Sequence, residues 1–192
     1  MNSFRQWVVL FGGHRRRGCL NDTAMLDTEG MTWEAPNIEG VLPPPRGNHA
    51  ATVVSDRLWL FGGDAANAGV LPHTVWSLPL ASPAAGAVCW AAVSASGQPA
   101  PPCCDHAAVA IGSRVLLLGG SSSQGYLPFG RIPTFHTDTL TWSRLATNGA
   151  VPGARAGHVA AAVCSGGLSA GSSAGTFQVR AGLTRTLTLT QA

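Results

Sequence analysis

The sequence predicts an all-β chain built from repeated, four-stranded antiparallel units. Three observations point there. The 192 residues include 24 Gly and 13 Pro, which suits short strands joined by turns rather than helices. No window shows a 3.6-residue apolar period with capping residues, so no major helix is expected. Gly-Gly pairs, tryptophans and histidines also recur at fixed distances, which marks an internal repeat.

The Gly-Gly pairs close three apolar runs: "WVVLFGG" at Gly12 and Gly13, "RLWLFGG" at Gly62 and Gly63, and "RVLLLGG" at Gly119 and Gly120. Each pair is followed by a tryptophan (Trp33, Trp90, Trp142), and each tryptophan by a histidine (His49, His106, His158). Trp to His is 16 residues all three times, and His to the next Gly-Gly is 13 both times it can be measured. The unit recurs every 50 to 57 residues.

Within a unit the strands follow in order. "HAATVV" and "RLWLFGG" are apolar runs separated by "SD", a tight-turn signal. A looser segment leads to "HTVWSLPL", and a last strand carries the Trp, as in "AVCWAAV". The continuous runs "WLF" and "VLLL" suit central strands buried on both faces between stacked sheets. Gly-Gly at a strand end permits positive φ and a close approach by neighbouring backbone. A Trp on the last strand offers a flat surface to seal one sheet against the next. The Pro-rich turn before each His stiffens the crossing to the next unit.

The Gly-Gly pair, the downstream Trp and the "PRxxH" or "PxxRxxH" lead into the next unit together resemble kelch repeats, whose units are blades of a β-propeller. The resemblance runs from about Trp7 to Cys164, with two departures: Cys103 stands where Arg46 and Arg155 stand in the other copies, and the aromatic residue usual between Gly-Gly and Trp is missing or replaced. The implied fold is an incomplete kelch-type β-propeller with four-stranded antiparallel blades. Residues 1–37 form a partial blade, 38–93 and 94–147 two full blades, and 148–168 the start of another. Residues 169–192 read as a small-residue linker and a tail that can supply a closing strand. Propellers close with about four to eight blades. The count therefore points to a piece of a longer chain, or to completion by blades of another chain, with self-association through the open edges.

Composition narrows the function classes. A net charge of +3, with all twelve basic residues Arg, gives no call for nucleic acid or membrane. No apolar segment reaches the roughly 20 residues of a membrane helix. The run "WVVLF" is too short for a signal-peptide core. Five cysteines without CxxC spacing suit a reducing cytoplasmic setting, or a nuclear one.

The densest reactive cluster is "CCDH", Cys103 to His106. His106 holds the repeat position shared with His49 and His158, and neighbours in an extended segment point alternately, so a structural role is expected. The resemblance raises two enzyme types. A galactose-oxidase-type copper site needs two tyrosines, and this chain has only Tyr126. The nitrile-specifier type implies an iron-binding E-x-x-x-D-x-x-x-H motif, which does not occur. No enzyme activity, cofactor or metal is expected. His14, His73 and His136 are expected at strand ends or on the surface.

Protein binding is the expected role, as an adaptor or substrate-recognition part of a larger assembly. In a propeller the second-to-third-strand loops share a face with the blade crossings. The crossings are fixed in length, whereas second Gly to Trp varies over 20, 27 and 22 residues. Variable loops on a rigid scaffold are where recognition usually sits. The candidate binding residues are Arg15, Arg16 and Arg17, suited to carboxylate or phosphate groups, with Asp64, and Tyr126 and Phe129 as an aromatic anchor beside Arg131. Arg46 and Arg155 recur in register and are expected to brace the crossings.

Overall fold

The computed structural model describes residues 7–66, 69–72, 74–80, 86–164, 177–181 and 185–189, with side chains as far as residue 163. These residues form strands and turns, with no helix among them. The small-residue linker expected before the tail falls on residues outside this set, as does His73.

Four antiparallel sheets follow one another along the chain. The first contains β1 (Trp7–His14), β2 (Cys19–Asp27) and β3 (Thr32–Glu34) in that order. The second runs through β4 (Ala50–Val54), β5 (Arg57–Phe61), β6 (Val75–Pro79) and β7 (Ala91–Val93). The third contains β8 (Ala107–Ile111), β9 (Arg114–Leu118), β10 (Arg131–His136) and β11 (Thr141–Ala146). Residues Ser96–Gly97 add a short parallel strand outside β11. The last sheet joins β12 (Ala160–Cys164), β13 (Phe177–Ala181) and β14 (Arg185–Leu189). Two-residue turns at Ser55-Asp56 and Gly112-Ser113 fix the registers Val54↔Arg57 and Ile111↔Arg114. Ser55 and Gly112 take the positive φ that such hairpins need (42° and 57°).

The sheets pack face to face, and the central strands β5 and β9 each supply both faces. Val9 and Phe11 of β1 pack on Leu58 and Leu60 of β5. Trp59 and Phe61, on the other face of β5, pack on Val115 and Leu117 of β9. Leu116 and Leu118 then meet Ala160 of β12. This is why "WLF" and "VLLL" are apolar without alternation: every residue faces one neighbour or the other. Each fully buried side chain contributes on the order of 1.5–3 kcal/mol.

Trp90 lies against Phe11, with ring centroids 4.9 Å apart, and Trp142 against Phe61 at 6.0 Å. Each tryptophan thus seals its own sheet to the one before. Trp33 departs from the expected sealing role. It is 59% exposed, against 5% for Trp90 and Trp142, because no preceding sheet lies against it among the described residues. Val8 and Leu10, which match the buried Leu58 and Leu60, are exposed for the same reason.

Gly12, Gly62 and Gly119 have φ near 55–58°. A Cβ on Gly12 would lie 2.9 Å from the carbonyl of Arg46, and one on Gly119 2.6 Å from that of Arg155. The next-blade histidine fills the rest of the space at all three positions. The joint is the first Gly of a blade, the crossing carbonyl and the histidine of the next, with the carbonyl three residues before its histidine each time, while the 13-residue spacing sets each histidine beside the Gly-Gly pair of its own blade. The second Gly meets its own blade's inner strand, with Gly63 against the His49 Cβ and Gly120 against that of His106. Gly13 meets nothing, since β1 has no inner neighbour among the described residues.

Candidate functional site at the hairpin ends of the blades

Each blade continues past its Gly-Gly pair into a hairpin. In the first blade this is the β1–β2 turn. In the second and third it is a short ladder, Asp64–Ala65 with Gly69–Val70 and Ser121–Ser122 with Gly125–Tyr126. The crossing segments hold these hairpins through backbone bonds. The amides of Gly13, Gly63 and Gly120 donate to the carbonyls of Arg46, Cys103 and Arg155, each at 2.9 Å. Gly47 and Asp64 exchange a pair of N–H···O bonds (2.9 and 3.0 Å), and Cys104 and Ser121 do the same (2.9 and 2.8 Å). Successive crossings are also joined to one another, since Asp105 donates its amide to the Asn48 carbonyl and Gly157 to that of Asp105. Asn48, Asp105 and Gly157 all have positive φ, a conformation that Asn, Asp and Gly tolerate best.

Arg46 braces its crossing with its side chain as well. It is buried, and donates from Nη1 to the Gly62 carbonyl (2.8 Å) and from Nε to that of Pro44 (3.1 Å). Burial lowers its pKa to about 10, which leaves it charged at neutral pH. Cys103 takes the equivalent place with its carbonyl alone. Its thiol is pushed up to about 12 by burial and by Cys104, and that of Cys104 to about 11 by burial and Asp105. Cys103 Sγ lies 3.6 Å from His106 Nδ1, but both residues are buried and the thiol stays protonated at neutral pH. The "CCDH" cluster is therefore a packed crossing. Among the described residues no three His, Cys, Asp or Glu side chains are placed to hold a metal ion. Among the described residues no helix is long and apolar enough to cross a membrane.

Arg15, Arg16 and Arg17 are exposed at the β1–β2 tip. The turn is closed by the Arg15 amide on the Gly18 carbonyl (3.0 Å) and by Arg15 Nε on the Arg17 carbonyl (3.1 Å). Tyr126 is exposed on the third blade's hairpin, two hairpins away from the arginines. Arg131 is exposed at the start of β10 and lines a cleft of about 110 Å³ with Leu127, Pro128, Pro101 and Arg144. Asp64 is half-buried and accepts bonds from His14 and from Asn48 Nδ2 (3.3 Å), so it is engaged inside the face.

Phe129 corrects the expectation of an exposed aromatic anchor, since it is only 1% exposed. Its ring packs on His158, with centroids 5.5 Å apart, and lies against Gly119. In the first blade Phe11 meets His49 in this way; the third blade has Leu118 at that position, and Phe129 supplies the missing ring.

A contact that sequence reasoning missed joins the first two blades. His14 Nε2 lies 3.2 Å from Asp64 Oδ1, and Cys19 Sγ lies 3.4 Å from His14 Nδ1. His14 and Asp64 each follow a Gly-Gly pair, so the repeat register places them as neighbours on adjacent blades. That shared register was the available signal.

The KLHDC2/KLHL20/DRC7 Kelch-repeats domain model matches residues 1–176. The chain belongs to the kelch-repeat family. Among similar proteins, the Rab9 effector protein with kelch motifs of Xenopus laevis is 30% identical over 161 residues, 81% of this chain and 42% of that protein. Acyl-CoA-binding domain-containing protein 4 of Arabidopsis thaliana is 32% identical over 148 residues, 76% of this chain and 21% of that protein. The chain thus spans less than half the length of these kelch relatives. The solved structure of YjhT shares the fold, with a TM-score of 0.63 at 16% identity over 91% of this chain and 56% of that one.

Proposed function

We propose that this kelch chain is a non-catalytic protein-interaction module that reads an acidic partner through its hairpin face. The observation that carries this reading is the Arg15–Arg17 tip: three exposed guanidiniums on a hairpin that the Arg46 crossing grips from below. Among the described residues no carboxylate lies within ion-pair distance of them. Guanidiniums held on a rigid support bind carboxylates or phosphates at little further ordering cost. Tyr126 and Arg131 on the third blade extend the surface, and the chain serves as an adaptor or recognition part of a larger assembly. The four cysteines with described side chains are unbridged, which suits a reducing cytoplasmic or nuclear compartment.

Affinity capture with the chain and with an Arg15/Arg16/Arg17→Ala variant tests the face. The captured protein should lose at least about tenfold in affinity for the variant and weaken with salt in the wild type. Unchanged binding by a variant that melts normally would place recognition elsewhere.

A second reading concerns the uncovered face of the first blade. Val8, Leu10 and Trp33 occupy the positions that in the next two blades receive the preceding sheet. A blade from a second copy fits this face, because such faces already pack on one another within the chain. Sedimentation across a dilution series should show association that Leu10→Asp abolishes; a monomer at every concentration rules this reading out.

A further inference from the structure

We propose that Cys19 is a nucleophilic thiol that takes α,β-unsaturated carbonyl electrophiles, with His14 as its proton acceptor and Asp64 as the residue that positions the imidazole. The geometry is a relay of three side chains across the seam between the first two blades. Cys19 Sγ is 3.4 Å from His14 Nδ1, and His14 Nε2 is 3.2 Å from Asp64 Oδ1. A carboxylate can only accept, so the proton of the neutral imidazole sits on Nε2 and is donated to Asp64. Nδ1 is then left with its lone pair facing the thiol. Nucleophile, base and orienting carboxylate thus stand in the order that thiol activation requires.

The rest of the seam maintains this order. Asp64 is fixed by its two backbone bonds to Gly47 and by Asn48 Nδ2 on its other oxygen. Gly47 makes room for the imidazole, since a Cβ there would overlap the His14 ring. The corresponding residue of the next crossing is Cys104, and the residue corresponding to His14 in the third blade is Ser121. In the second seam the equivalent register positions are Asp64 and Ser121, so Ser121 stands in the place of the carboxylate and no histidine follows the Gly-Gly pair. Cys19 Sγ also lies 3.8 Å from the Asp64 carbonyl, a longer contact that holds the side chain over the seam. The turn that joins His14 to Cys19 is the exposed Arg15–Arg17 tip. Cys19 and His14 both reach solvent.

The chemistry closes without a co-reactant. The thiol proton passes to Nδ1, and the imidazolium is stabilised by Asp64. The thiolate forms a carbon–sulfur bond at the β-carbon of the electrophile, and the double-bond electrons move toward the carbonyl. The proton on Nδ1 then returns to the α-carbon. Nothing is oxidised, and no group leaves.

N-ethylmaleimide tests this within one molecule, because exposed Cys89 has no histidine partner among the described contacts and serves as an internal control. Limited labelling of the full chain at neutral pH, read by peptide mass spectrometry, should modify Cys19 at least about tenfold faster than Cys89, in keeping with the help a positioned base gives. His14→Gln should bring Cys19 down toward Cys89 and steepen its dependence on pH, while Cys89 stays unchanged. Asp64→Asn should produce a smaller loss of the same kind. The proposal is overturned if Cys19 reacts no faster than Cys89, or if its rate and pH profile survive His14→Gln in a protein that melts normally.

Discussion

His49 lies edge-on against Phe11 of the preceding blade, with ring centroids 5.5 Å apart and planes at 70°. Its Nδ1 has no hydrogen-bond partner. The ring is packed flat in the seam, and burial, with the nearby Arg46 charge, lowers its pKa from 6.5 to about 4 against a hydrogen bond to the Arg46 backbone. The unfolded chain takes up this proton near pH 6.5, whereas the folded chain resists until about pH 4. Stability is therefore full above the unfolded value and falls as pH drops through this window. The loss is on the order of 3 kcal/mol at most. Urea midpoints measured across this range should fall in the wild type. His49→Gln should flatten the slope without removing it, since His158 is also shifted down by burial.

The Gly-Gly pairs predict an unequal response to alanine. Gly63→Ala would push a Cβ to 2.8 Å from that of His49 in addition to straining φ. Gly13→Ala has the same φ problem and open space beside it. The first should cost more than about 2 kcal/mol, and the second about 1 kcal/mol, in chemical denaturation. Equal losses would mean that backbone conformation alone fixes these glycines.

Trp142→Ala should cost about 3–5 kcal/mol, as for other buried aromatic truncations. Trp33→Ala should be close to neutral for a monomer, because its ring is largely exposed. If a second copy covers the first blade, Trp33→Ala will instead weaken association at an unchanged monomer melting point.

Phe129→Ala separates packing from recognition. The ring fills the space between Gly119 and His158, so the variant should lose about 3–5 kcal/mol of stability. Tyr126→Ala, at an exposed position three residues earlier, should change stability by less than about 0.5 kcal/mol. Thermal melts of the two variants give the comparison.

Much of this fold is legible in the sequence because one joint recurs. Gly12, the Arg46 carbonyl and His49 must meet, and their equivalents must meet in each later blade, so carbonyl and histidine stay three residues apart while the loop after Gly-Gly is free to vary. The same logic makes Trp90 and Trp142 recognisable as seals. Legibility ends where a residue's role depends on something the repeat does not encode. Phe129 looks like a loop aromatic, yet it is core, because Leu118 leaves a gap that local sequence does not reveal. Trp33 has the right register but nothing preceding it to seal. His14 and Asp64 are 50 residues apart, and only the blade register makes them neighbours.

The three glycine amides bonded to crossing carbonyls also make the chain a row of separately addressable seams. Each blade touches only its neighbours, so protection from solvent exchange should be graded along the row rather than uniform. Gly63, with packed blades on both sides, should exchange last, and Gly13, at the uncovered blade, should exchange earlier. Opening would then travel inward from the first blade, and a partner or second copy seated there would slow exchange at seams it never touches.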